Sequence, residues 1–251
     1  MKTLAFVLIG LATSAFIRAD DYPASEKFAK SYPVSAQAEL SLSNVNGSIE
    51  IVAWDKNEIA LEAEKRARST DDLPKILINI DATPDHLIVK TEHLRTGWFG
   101  SEVKGSVHYK LHVPIGISLR EIHSVNSNIT IHEVHGEVVA HTVNGNIRVN
   151  DITTSAKLHT VNGNIEASVA SSGKERTIST KTVNGSCKLS LPIDIAADVY
   201  ASTVNGHVNC SIPLTLVKTS RTKLEGHMGQ GVAATIEAKT VNGNIAFNSG
   251  D

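Results

Sequence analysis

Three histidines carry the clearest chemical spacing in this chain. His123, His141 and His159 each stand three residues before an asparagine: Asn126, Asn144 and Asn162. A constant offset means a constant place in a repeated unit. If those units stack in register, the imidazoles form one row about 4.8 Å apart. Neutral imidazoles that converge can bind zinc, copper or nickel. A row does not by itself converge, however, and Lys181, Ser202 and Lys239 hold the same offset in later units. The row is therefore read as ordinary strand surface, and no metal or other cofactor is expected. His132 and His135 fall in the other half of their unit, which allows them a different face.

Other catalytic groupings are harder to assemble. Polysaccharide-cleaving β-helices need converging carboxylates, a base or a calcium site on one face. Here Glu121, Glu133, Glu137, Asp151 and Glu166 fall at unrelated offsets. No Asp-rich calcium repeat, Gly-rich phosphate loop, nucleophile elbow or zinc-helix motif is present. No catalytic residue is expected. Trp98 and Phe99, set between Gly97 and Gly100 in a chain with 4% aromatics, would make a contact loop if exposed. The preferred reading is that they plug one end of the fold.

The element that must position all of these is a repeated phrase. Thr-Val-Asn-Gly stands whole around Asn144, Asn162, Asn184, Asn205 and Asn242, with variants around Asn46 and Asn126. From Asn126 onward the asparagines step by 18, 18, 22, 21 and 37 residues. The long step divides if Leu224-Glu225-Gly226 is a worn copy. Polar and β-branched residues alternate around each phrase, which is the strand signal, and a period near twenty marks a repeat architecture. Asn-Gly between such runs also fits a meander of hairpins. A hairpin needs a good turn but gives no reason to repeat Thr, Val and a following Asn. Parallel coils do, because they stack like side chain on like side chain. The expected fold is all-β: a parallel β-solenoid with coils of about 18–22 residues. Its asparagines, Asn126, Asn144, Asn162, Asn184, Asn205 and Asn242, should form a structural ladder.

Three segments are expected. Residues 1–19 read as a signal peptide: Lys2, an apolar run from Leu4 to Phe16, then Ala19 before a cut at Asp20. That run is too short to span a bilayer, no later stretch is long and apolar enough for a membrane helix, and no cysteine suggests a lipid anchor. Residues 20–112 read as a less regular β region, with a first repeat-like copy at 44–51 and a hairpin at Thr83-Pro84-Asp85. Its charged stretch 62–72 reads as a solvated connection and 94–105 as a loop. Residues 113–251 read as the solenoid, its corners marked by Pro114, Pro192 and Pro213. Without Lys2 and Arg18 the chain keeps 22 basic against 26 acidic residues, with no basic stripe interleaved with aromatics, so nucleic acid is not an expected partner. Cys187 and Cys210 lie at offsets +3 and +5 from their asparagines, both core positions. In adjacent coils their Cα atoms would be about 8 Å apart, too far for a disulfide. Two buried free thiols are expected.

Val45-Asn46-Gly47-Ser48-Ile49-Glu50-Ile51 followed by Trp54-Asp55, the Val113-Pro114-Ile115 start and the serial Thr-Val-Asn-Gly-Asn-Ile copies resemble the bacterial adhesin-type family DUF4097. The resemblance covers most of the chain beyond the signal peptide. It implies a right-handed β-helical or solenoid fold outside the cytoplasm and no active site. The expected function is therefore an exported, non-enzymatic adhesin or binding scaffold with a protein or glycan partner, in the periplasm, at the cell surface or secreted. The alternatives are a carbohydrate-active β-helix enzyme and an envelope-associated structural or sensory protein that acts through a partner. A final expectation concerns the last copy, 240–247. With no capping segment after it in sequence, it should present an open strand edge for self-association.

Overall fold

Alternating sequence becomes alternating burial throughout. In the strand Val138–Asn144, residues Val138, Ala140 and Thr142 point inward while Val139, His141 and Val143 face outward, and Ala156–Asn162 repeats the pattern. The computed structural model describes residues 22–96, 101–171, 175–231 and 234–250. The signal-peptide segment 1–19 and the Trp98–Phe99 loop lie outside the described residues. Two long sheets, one of ten strands and one of eleven, face each other across a single apolar core, and a two-stranded pair lies beside them. The one helical element among the described residues is a 3-10 turn at Thr70–Lys75.

Each coil gives one strand to each sheet, and neighbouring coils run parallel. In the ten-stranded sheet Ile49, Ile129, Ile147, Ile165, Cys187, Ile245 and Val208 form one inward column, each paired with the next. The asparagines are likewise in register, Asn144 with Asn162 and Asn162 with Asn184, so Asn-Gly turns the corner of a coil and makes no hairpin.

The repeated phrase has a packing reason at each position. The threonine is buried, and its hydroxyl donates to a carbonyl of the neighbouring coil: Thr160 Oγ1 to Gly145 O at 2.9 Å, Thr182 Oγ1 to Gly163 O at 3.0 Å and Thr240 Oγ1 to Gly185 O at 2.8 Å. A buried carbonyl left alone would cost about 1–3 kcal/mol. The glycine lets the coils touch at the corner. A Cβ on Gly163 would lie 1.9 Å from Gly145 O, inside any allowed contact. Opposite the phrase, Glu133 and Asp151 hold matching corner positions in left-handed backbone, at φ 58° and 61°.

Coil order in space departs from order in sequence. After the first coil, at Glu39–Ser43 and Ile49–Trp54, the chain leaves the stack. The end of the stack has Gly105–Pro114 and His86–His93 parallel on the two strands of the first coil, with Glu58–Ala67 and then Ala24–Pro33 antiparallel outside the one and Ile76–Ala82 antiparallel outside the other. The chain rejoins at Ser118–Ser124, which pairs with Glu39–Ser43. The charged stretch after Leu61 is strand as far as Ala67, because Glu62, Glu64 and Arg66 point off one face while Ala63 and Ala67 fill the core. The strand Ala24–Pro33 has no apolar alternation to announce it and is held by its ten-residue pairing with Glu58–Ala67. The expected 94–105 loop includes the short pair Arg95–Thr96 and Ser101–Glu102.

The larger departure is at the other end, where three expectations are corrected. The 240–247 segment is not an open edge. Ile245–Ser249 lies between Cys187–Leu191 and Val208–Cys210, and Ala234–Lys239 lies between Arg176–Asn184 and Ala197–Ser202. The last copy in sequence is thus the second-to-last coil in space, and both its edges are hydrogen-bonded. Leu224-Glu225-Gly226 is not a coil either. It lies in Lys223–Met228, which runs antiparallel on Ala197–Ser202 and, with Thr215–Thr219, closes that end of one sheet. Cys187 is buried, but Cys210 is only half-buried, because it sits in the short edge strand Val208–Cys210. Both are free thiols. They are not in adjacent coils, since the 234–249 coil passes between them.

Candidate functional site

One corner and the outer face beside it carry the most ordered side-chain array in the protein. At the corner the phrase asparagines form a continuous amide ladder. Each Nδ2 donates to the preceding Oδ1: Asn126 to Asn46 at 2.9 Å, Asn144 to Asn126, Asn162 to Asn144, Asn184 to Asn162 and Asn242 to Asn184 at 2.8 Å, then Asn205 to Asn242 at 2.7 Å. A primary amide has two N–H donors and two lone pairs on oxygen, so each rung leaves half its capacity for a ligand or water. A second ladder runs beside it, in which Asn128, Asn146 and Asn164 Oδ1 accept from the backbone N–H of Asn146, Asn164 and Ser186 at 2.8 Å.

The histidines lie on the outer face of the eleven-stranded sheet, two residues before the phrase valines. His123 pairs with His141 and His141 with His159. Their ring centroids are 4.2 Å and 6.1 Å apart. Burial holds the imidazoles of His141 and His159 below their ordinary range. The next cause is the neighbouring ring, His123 for His141 and His141 for His159. Glu121 pulls His141 partly back up, and Lys181 pushes His159 further down. His123 Nδ1 is buried without a hydrogen-bond partner. Among the described residues no group of three His, Cys, Asp or Glu side chains is placed to hold a metal ion. His132 lies in the other sheet, beside Asn150 at 3.1 Å.

The row does not stop at His159. His159 pairs with Lys181, Lys181 with Lys239 and Lys239 with Ser202. The sequence offset already placed these residues in the row, but their adjacency depends on the insertion of the 234–249 coil. Glu237 stands between the two lysines, bonded to Lys239 and 3.4 Å from Lys181. The row ends in a shallow groove of about 340 Å³ that includes Tyr200, Lys218, Lys223, Glu225, Glu237 and Lys239. Tyr200 is 41% exposed there. Sequence reasoning passed over this aromatic because its strand partners were unknown. At the opposite end a groove of about 300 Å³ gathers Ser48, Glu50, Glu62, Glu64, His108 and Lys110. Glu166, Glu39 and Glu137 are matched across coils, Arg148 with Glu166 at 2.7 Å and Arg120 with Glu39 at 2.7 Å and Glu137 at 3.1 Å.

The arrangement can bind along a line. A profile of the Toastrack DUF4097 family matches residues 104–248, more than half of the chain. The chain belongs to this family. Among solved structures, the Toastrack chain is similar to a "putative cell adhesion protein" from Clostridium sporogenes, with a TM-score of 0.53 at 11% identity over 90% of this chain and 100% of that one. A "putative adhesin" from Bacteroides fragilis matches at TM-score 0.37 and 13% identity over 90% and 98% of the two chains. A "putative lipid binding protein" from Parabacteroides distasonis matches at 0.33 and 11% over 89% and 95%. At these identities the first likeness shows the fold alone, and the other two carry no argument. No curated protein matches the chain. No helix among the described residues is long and apolar enough to cross a membrane.

Proposed function

We propose that this Toastrack protein is an exported, non-catalytic binding scaffold of the adhesin type. The observation that carries the reading is the unbroken asparagine ladder, which repeats one set of donors and acceptors at every coil along a straight corner. Repetition at about 4.8 Å suits a ligand that itself repeats, and weak contacts multiply when several engage together. Residues 1–19 serve as the export signal, residues 20–112 build the end of the stack together with its first coil, and the solenoid from 113 carries the binding face. The coils wind right-handed, as parallel strand connections within one sheet almost always do. The partner is a glycan or a protein, met in the periplasm, at the cell surface or outside the cell.

The test is to express the full chain in a bacterial host, find the exported form by N-terminal sequencing, and probe glycan and protein arrays with it. A mature N-terminus at Asp20 and saturable binding to a polymer are expected. Cytoplasmic retention of the uncut chain, or turnover of a polysaccharide in place of binding, would refute the reading.

A further inference from the structure

The outer face of the eleven-stranded sheet and the corner beside it combine three kinds of row. The first is cationic. His123, His141, His159, Lys181 and Lys239 stand in successive coils, a line of about 19 Å at sheet spacing. Lys223 continues it beyond Ser202, and Lys90 lies beyond Ser43 at the opposite end. The second row is apolar. Strand alternation places the phrase valines on the same face, two residues along. Val125, Val143, Val161 and Val183 are half-buried, while Val241 and Val204 are 39% and 67% exposed. The third row is the asparagine ladder at the corner.

We infer that this face is the binding track for an extended acidic polysaccharide, which lies along the coil stack with its carboxylates or sulfates on the histidine and lysine row. The inference rests on the scaffold reading above and names its ligand class. Each row answers one part of a charged sugar. Imidazolium and ammonium groups meet the anions, the valines meet the C–H faces of the rings, and the spare amide donors and acceptors meet the hydroxyls. Tyr200, exposed in the groove at the end of the row, offers a ring face to a sugar.

The observations favour a polysaccharide over other polyanions. The phosphates of one duplex strand rise about 3.4 Å per residue along the helix axis, which does not match coil spacing, and for a single strand the row has no series of aromatics for bases to stack on. An anionic membrane would reward apolar side chains that project to insert, whereas most of the valines here are half-buried.

Charge on the track is conditional. On its own strand His141 stands between Val139 and Val143, and across the sheet it meets His123, Glu121 and His159. His159 meets Lys157 along its strand and His141, Lys181 and Ser179 across it. Glu237 offsets part of the lysine charge. Burial keeps the imidazoles of His141 and His159 below their ordinary range and uncharged near neutral pH, so the line gains cations there as the medium becomes mildly acidic.

The experiment is titration calorimetry of the mature chain with polygalacturonate oligomers at about pH 5.5 and about pH 7.5, bracketing the imidazole range. Dextran, single-stranded oligo-dT and phosphatidylserine vesicles serve as comparison probes. Polygalacturonate should bind about fivefold more tightly at the lower pH, as added exposed charge pairs at His141 and His159 would give. The triple change His123→Gln, His141→Gln, His159→Gln should remove that gain. Lys181→Gln with Lys239→Gln should weaken binding at both pH values, and Lys157→Glu should do the same by repulsion. An unchanged melting temperature would show that each variant is folded. Equal binding of dextran, tighter binding of oligo-dT or vesicles, or affinity indifferent to all these substitutions would overturn the inference. If the arrays instead return a neutral glycan or a protein, this inference fails and the scaffold reading stands; if nothing binds in either experiment, both fail.

Discussion

The middle of the stack and its far end are built from the same phrase but assembled differently. From 118 to 191 each coil lies on the one that precedes it in sequence. Beyond 191 the chain places 197–210 at a distance, covers it with the antiparallel pair Thr215–Thr219 and Lys223–Met228, and only then fills the gap with 234–249. Coils that share one phrase are interchangeable in their contacts: Thr240 reaches Gly185 as Thr182 reaches Gly163. The phrase therefore specifies that coils stack but not in which order. Order at this end follows from the cap, since the hairpin is tied to 197–210 and that coil must face outward to carry it.

The most direct way to break the comparison is to remove the inserted coil. Deleting 234–251 strips Arg176–Asn184 and Ala197–Ser202 of the strand that joins them. In stacked repeats each unit depends on its neighbours, so hydrogen exchange should show protection lost across 197–228 and kept across 118–169. Protection retained at 197–210 would mean that this coil can dock directly on 176–191 and that insertion is dispensable.

Substitution of single residues sharpens the contrast. Gly163→Ala drives a methyl into Gly145 O between two coils fixed on both sides, and should cost about 3 kcal/mol in denaturant unfolding. Gly206→Ala makes the same 1.9 Å contact with Gly243 O. It lies in the terminal coil, which has no further coil beyond it and can shift outward, so its cost should be clearly smaller. Equal costs would mean that the end is as rigid as the middle. Next in size, Thr160→Val leaves Gly145 O without its donor and should cost about 1–2 kcal/mol. Thr203→Val removes the matching bond to Gly243 O at 2.9 Å and should cost less, because water can reach that end.

What could be read from sequence divides along the same line. The parallel column Ile147, Ile165 and Cys187 and the ladder of asparagines follow from side chains that recur at fixed offsets, a pattern that depends only on local alternation. The place of 234–249 does not, because a 37-residue step looks alike whether it hides a worn copy or a hairpin. Leu224 and Met228 alternate inward just as a coil strand would, and nothing local distinguishes parallel from antiparallel pairing there. The half-burial of Cys210 follows from the same misplaced order. The histidine row was legible as an offset; its continuity into Lys239 was not, because that neighbour comes from the inserted coil.

The smallest expected effect is also the one that links the comparison to function. His141 and His159 titrate below the ordinary imidazole range in the folded chain, burial being the first cause, while in the unfolded chain they return to about 6.5. Above that value both states are neutral at these sites and the folded state keeps its full advantage. As pH falls through it the unfolded chain takes up protons first, so stability declines until the folded rings also protonate. Glu237 does not confuse this window, because its bond to Lys239 holds its carboxyl below the usual range and its own loss comes at lower pH. Thermal unfolding of the mature chain should therefore show a modest fall in midpoint as the pH drops from about 7 to about 5. The double change His141→Gln, His159→Gln should flatten it. A polyanion seated on the row would favour the charged rings and work against the fall, so polygalacturonate should reduce the slope in the parent chain and leave the double variant's slope alone. A slope that survives in the double variant would place the titrating group at neither His141 nor His159.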